Sequence, residues 1–172
     1  RAEQAARRER GDVKQLGIGV STCVEVTAGG LFQEYGAIEV NEDGSVTATV
    51  GTSAHGQGHE TAFAMSVQEL LGVPVDQVRR VQSDTSVVPR GTGTMGSRSL
   101  QIGGSALYKA SEEVLAKAKQ LAAHLLEANV DDIVLTDDGR LGVAGVPASA
   151  LSWAELATAA KKDSSLRMWV EE

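Results

Sequence analysis

Cysteine, aromatic residues and basic charge are what this 172-residue chain has least of. Its single cysteine, Cys23, cannot close a disulfide within the chain. Nor can one thiol supply a multi-cysteine zinc or iron–sulfur site. Two Phe, two Trp and two Tyr, 3% of the residues, leave few rings on which nucleobases could stack. Against 23 Asp and Glu stand 16 Lys and Arg, for a net charge of −7. A chain of that sign lacks the basic stripe a phosphate backbone demands. No apolar run approaches the roughly 20 residues that span a bilayer. No nucleic acid and no membrane is therefore expected as partner.

What the chain does have is apolar content, 42% hydrophobic against 23% charged, which predicts a packed globule. Its length suits one domain, read here as residues 1–172. The first eleven residues, RAEQAARRERG, read as the exposed end of a helix whose body lies upstream. Glu3 and Glu9 interrupt the Arg run, which weakens a basic-arm reading, and there is no apolar signal-peptide core. The chain is expected to be a piece of a longer protein.

Residues 16–26, LGIGVSTCVEV, are small and β-branched, predicting a strand packed closely on a neighbour, with Cys23 a buried small hydrophobe in it. Residues 35–40 and 45–50 are joined by Asn41-Glu42-Asp43-Gly44, a hairpin signal. Phe63, Val67, Leu70 and Leu71 fall on one helical face that Gly72 and Pro74 terminate. Residues 78–81 predict a strand, and 83–104 a long loop carrying five glycines. Leu107, Ala110, Val114, Ala118, Leu121 and Leu125 form the clearest helical stripe. Residues 133–135 and 141–143 bracket Asp138-Gly139 as a second hairpin. A last helix starts after Ser149 or through a capping box at Ser152 and Glu155. Tyr108 and Trp153, at helix positions, read as core. The order ββ(β)αβα followed by ββα is an α+β pattern, a mixed β-sheet with packed helices.

Nineteen glycines are bunched, and two bunches form loops that each lead into a helix. The first, Gly51 to Glu60, reads GTSAHGQGHE; Gly56 and Gly58 bare their backbone amides beside a helix N-terminus, which favours an anion or polar oxygen. Gln57 offers both donors and an acceptor. The second, Arg90 to Ser99, reads RGTGTMGSRS and combines hydroxyls, amides and two arginines, the inventory of a phosphate cradle. Neither is a Walker A motif or a clean G-x-G-x-x-G turn. His55 and His59 are spaced like zinc ligands on a helix, but glycines at 56 and 58 work against a helix there. Arg98 reads equally as part of the cradle or as a surface salt-bridge partner.

Taken together, GTSAHGQGHETAFA followed by GTGTMGSRS resembles the cofactor-binding large subunit of the molybdenum hydroxylases, the family of xanthine dehydrogenase, aldehyde oxidase and aerobic carbon monoxide dehydrogenase. The opening GIGVSTCVEVTAGG is similar to the carbon monoxide dehydrogenase-like branch. The resemblance covers residues 12–128 and is weaker over 129–172. It implies one lobe of a molybdenum cofactor-binding domain whose two loops hold molybdopterin or molybdopterin cytosine dinucleotide with its molybdenum. Carried over by position, Gln57 would approach the metal-bearing end, with Gly58 and His59 donating beside it. Thr94, Met95, Ser97 and Ser99 would line the phosphate and pterin portion, Met95 standing where the family often has a tyrosine.

The resemblance also implies what lies elsewhere. The family's catalytic glutamate, in a G-x-G-E-P-like segment, has no counterpart after Glu155 or in the tail LRMWVEE, and its Gly-Phe-Gly-Gly motif is absent too. No catalytic residue and no protein metal ligand is therefore expected in this chain. Implied partners are the remaining lobe of the large subunit and iron–sulfur and FAD subunits or domains. The implied activity of the whole is cytoplasmic oxidation of a substrate carbon with water, to which the isolated segment, expected to retain no cofactor, would not suffice. The alternative reading is a non-catalytic module that binds a nucleotide or phosphate through the second loop.

Overall fold

The computed structural model describes residues 1–30 and 33–162. Its centre is a three-stranded sheet in the order β1 (Gly36–Val40), β2 (Val46–Val50), β3 (Val78–Val81). β1 and β2 pair antiparallel from Gly36↔Val50 to Val40↔Val46. Asp43 closes their turn by accepting from the Ser45 amide at 3.0 Å. β2 then runs through the first glycine loop into α2 (His59–Leu71), and the chain returns as β3, parallel to β2. After the second loop comes α3 (Ser105–Leu125), the longest element.

β2 shows why these elements sit together. Its Val46, Ala48 and Val50 alternate inward and are fully buried, whereas Thr47 and Thr49 are only half-buried. The inward row joins one core with Phe63, Val67 and Leu71 of α2 and Leu107 and Leu121 of α3. A hairpin of β4 (Ile133–Leu135) and β5 (Leu141–Val143) adds Ile133 and Leu141 to that core. The last helix, α4 (Trp153–Lys162), is pinned by Trp153, whose indole N–H donates to the Leu71 carbonyl at 2.8 Å. The first helix, α1 (Ala2–Glu9), buries no residue and carries an Arg7–Glu3 pair at 2.8 Å.

The architecture is the expected α+β, and both hairpins, both helices and residues 78–81 form as read, except that Leu125 at the end of the second stripe is 39% exposed. Of the two proposed starts for α4, the capping box is the one used: the Ser152 amide donates to Glu155 at 2.7 Å and the Glu155 amide to Ser152 Oγ at 3.3 Å. Four expectations need correcting. Residues 16–26 pair with no strand among the described residues; Val20 is 89% and Val24 100% exposed. β-rich composition says that a side chain suits a pleated surface, and does not provide the ladder partner. Cys23 is consequently exposed rather than buried. Tyr108 is 46% exposed, because it lies one position beyond the buried Leu107 and points off the stripe. The long loop also ends early: Ser99–Gly104 forms a π-helical turn continuous with α3. The tail LRMWVEE lies outside the described residues.

Candidate functional site

The two glycine loops cross backbone to backbone immediately after β2. A Cβ on Gly91 would stand 2.2 Å from the Gly51 carbonyl oxygen, and one on Gly51 2.5 Å from that of Arg90, so no other residue fits the crossing. Beyond it, the Ser53 amide of the first loop donates to Thr94 Oγ1 of the second at 3.1 Å. Ser99 Oγ donates to the same oxygen at 3.0 Å. Having accepted twice, the Thr94 hydroxyl retains its own proton for a further acceptor.

The second loop is clamped from both sides. Glu34 Oε2 accepts from the Thr92 amide at 3.3 Å and from its hydroxyl at 2.7 Å. The Arg98 guanidinium donates to the Thr92 carbonyl and, at 3.3 Å, to that of Gly93. Arg98 is 4% exposed, which corrects its reading as a surface salt-bridge partner: it binds loop carbonyls from within.

In the first loop, Gly58 caps α2 in the left-handed conformation (φ +76°), and no side chain caps the helix. The first-turn amides are thus left for an oxygen ligand. Gln57 is exposed, and its Oε1 accepts the His55 amide at 2.5 Å, which turns its NH₂ group away as a donor. His59 is the first residue of α2 and only 5% exposed, so it shares no helix face with the exposed His55, which precedes the helix. Its ring lies 5.1 Å from that of Phe63.

Burial first, then the charge of Arg80, holds the His59 pKa below its ordinary 6.5; contact with Gln82 offsets this only in part. At hydrogen-bond geometry neither His59 Nδ1 nor either Gln82 amide atom has a partner among the described residues. Burial and the Arg80 charge thus disfavour the charged ring, and its Nδ1 is left without a partner. Because the folded state binds this proton less readily than the unfolded chain, stability is full above pH 6.5 and declines as pH falls through that value. Carboxylates held low by hydrogen bonds, Asp43, Asp84 and Glu155, respond only further into acid. The melting temperature should therefore drop as the pH is lowered below 6.5 in the native chain, and His59→Gln should flatten that slope. An unchanged slope in the variant would refute this assignment.

Of the residues singled out by sequence, Gln57, Gly58 and His59 open α2, Thr94 joins the loops, and Ser99 bonds to Thr94 within the second. Ser97, with φ +52°, donates its hydroxyl to Glu25 Oε2 at 2.6 Å. Met95 is 63% exposed beside it. Sequence reading missed Thr52, Gln82, Glu25 and Glu34. The two glutamates lie 72 and 58 positions from their partners, and no local spacing signals contacts of that range. A cavity of about 790 Å³ between β1, α3 and α4 includes none of these residues. The ligand features are instead open loop surface. They fit an oxygen-rich cofactor: Thr52 Oγ1, in a residue 1% exposed, lacks a partner, and the Cβ positions of Gly56, Gly58, Gly93 and Gly96 face open space.

Comparison with known proteins agrees. The family model described as the molybdopterin cofactor-binding domain matches residues 1–169, extending beyond the 12–128 of the motif resemblance. The carbon monoxide dehydrogenase large chain of Afipia carboxidovorans is 36% identical over 173 residues, covering 92% of this chain and 21% of that protein. The gamma subunit of the 6-hydroxypseudooxynicotine dehydrogenase complex of Paenarthrobacter nicotinovorans is 39% identical over 133 residues, 77% of this chain and 17% of that subunit. Reconstituted CO dehydrogenase from Oligotropha carboxidovorans superimposes with a TM-score of 0.76 at 35% identity, over 92% of this chain and 21% of that one. The chain thus spans about a fifth of the length of the relatives it matches. These likenesses lend no support to a free-standing phosphate-binding module. Crossed loops that leave backbone and side-chain donors at an open surface, in a chain with these relatives, have one reading: the chain belongs to the molybdopterin cofactor-binding domain family of the molybdenum hydroxylases.

Proposed function

We propose that residues 1–172 act as one lobe of the cofactor cradle in a longer molybdenum hydroxylase large subunit. The observation that carries this reading is the bond between the Ser53 amide and Thr94 Oγ1, which fixes both glycine loops as one surface. From that surface the Gln57 NH₂, the first amides of α2 and the Thr94 hydroxyl donate toward a ligand. Ser99 acts through Thr94, to which it gives its proton. When bound, the molybdenum cofactor supplies two-electron oxidation of a substrate carbon with oxygen from water. This lobe supplies orientation and electrostatics: Gln57 donates at the metal-bearing end, with Gly58 and His59 beside it, and Thr94, Met95 and Ser97 line the pterin and tail. The neutral His59 ring adds no charge there.

In this reading the substrate is chosen by the rest of the subunit, electrons leave through iron–sulfur and FAD partners, and the enzyme works in the cytoplasm. No helix among the described residues is long and apolar enough to cross a membrane. The dinucleotide form of the cofactor accords with the similarity to CO dehydrogenase large chains. Gln57→Ala, made in the full-length polypeptide, tests the lobe's role. Gln57 is exposed, so the melting curve should hold within about 0.5 kcal/mol. Molybdenum and pterin per chain should fall at least tenfold. Full occupancy in the variant would count against the proposal.

A further inference from the structure

We infer that Glu25 and Ser97 form an acceptor pair that recognises the N–H edge of an amino-substituted pyrimidine ring and turns phosphate away. The inference rests on the cofactor reading above and assigns a ligand chemistry to part of that site. A serine hydroxyl has one proton, and that of Ser97 is committed to Glu25 Oε2 at 2.6 Å. Ser97 therefore offers a ligand only lone pairs. Glu25 Oε1 has no donor among the described residues, and no Lys, Arg or His is paired with this carboxylate there. Both side chains are exposed.

The carboxylate is also held in place. Residues 25–28 dock on the second loop at two points, the Glu25–Ser97 bond and the Ala28 amide donating to the Gly96 carbonyl at 3.2 Å. Gly96 and Ser97 adopt φ +58° and +52°, a bend that presents the Ser97 hydroxyl to Glu25. An unneutralised carboxylate repels a phosphate, whereas it accepts strongly from N–H groups. The surface thus has two poles. Thr94, Gln57 and the α2 amides are donors suited to anionic oxygen, and Glu25 with Ser97 is an acceptor pole suited to amino N–H. Both the 2-amino edge of a pterin and the amino edge of a cytosine have that chemistry.

The test uses the cofactor-free full-length polypeptide and three probes: 6-hydroxymethylpterin, cytidine and inorganic pyrophosphate, titrated at equilibrium. Glu25→Ala should weaken one ring probe at least tenfold, Glu25→Gln by less, and pyrophosphate should bind as before or more tightly in both. A loss confined to the pterin places its 2-amino edge at Glu25; a loss confined to cytidine places the base there. Unchanged ring binding, or pyrophosphate weakening in parallel with it, would overturn the inference while leaving the cofactor reading intact. Failure of the native polypeptide to bind any probe would remove both.

Discussion

Gly91→Ala is expected to empty the cofactor cradle and to cost the fold about 3 kcal/mol, the upper range for overpacking a close-packed contact. The added methyl would lie 2.2 Å from the Gly51 carbonyl oxygen and 3.0 Å from the Gly51 carbonyl carbon and Cα. These are backbone atoms and cannot swing aside as a side chain could. Relief requires the loops to part, and parting them breaks the Ser53–Thr94 bond that makes them one surface. Gly93→Ala in the same loop is the control: its Cβ meets nothing within 4 Å, and only its φ of +73° opposes substitution. That strain amounts to roughly 1–2 kcal/mol. Chemical denaturation and molybdenum content of both variants in the full-length polypeptide check this. Equal effects of the two would show that backbone collision at the crossing is not what matters.

Arg98→Lys is expected to act almost as strongly. The guanidinium serves two successive carbonyls, Thr92 and Gly93, from a position 4% exposed to solvent. A lysine retains the charge and loses the planar fork, so one carbonyl is left without its donor and a compact ammonium is buried in its place. Leaving a buried polar group unmade costs about 1–3 kcal/mol. The loop then relaxes on the side opposite Glu34, and cofactor occupancy should fall at least tenfold. Since net charge is unchanged, such a loss can be attributed to loop geometry. Full occupancy with lysine would mean that charge alone suffices at this position.

Features legible in the sequence were those whose cause is local. Asp43-Gly44 sets the β1–β2 hairpin through a side chain that bonds two residues on. The apolar spacing of α2 and α3 places Phe63, Val67, Leu107 and Leu121 inward. Ser152 and Glu155 cap α4 across three residues. The glycine loops were legible as a pair because their motifs resemble one family, but their crossing was not: it depends on Gly51 and Gly91 meeting across forty residues.

What escaped sequence reading depends on partners remote in the chain. Arg98 is charged, and composition alone assigns a charged residue to the surface; its burial follows from carbonyls that only the folded loop turns inward. Residues 16–26 have strand composition, yet the segment meets the second loop through Glu25, and through Ala28 just beyond it, rather than through a ladder. For Ser97 the consequence is chemical. A hydroxyl read from sequence as a potential donor is an acceptor once Glu25 takes its proton.

The central claim is tested most directly by counting molybdenum and pterin in the full-length polypeptide, purified from a host that makes the cofactor. Mass spectrometry for the metal and fluorescence of the oxidised pterin should each give near one per chain. A polypeptide that folds and carries neither would contradict the account.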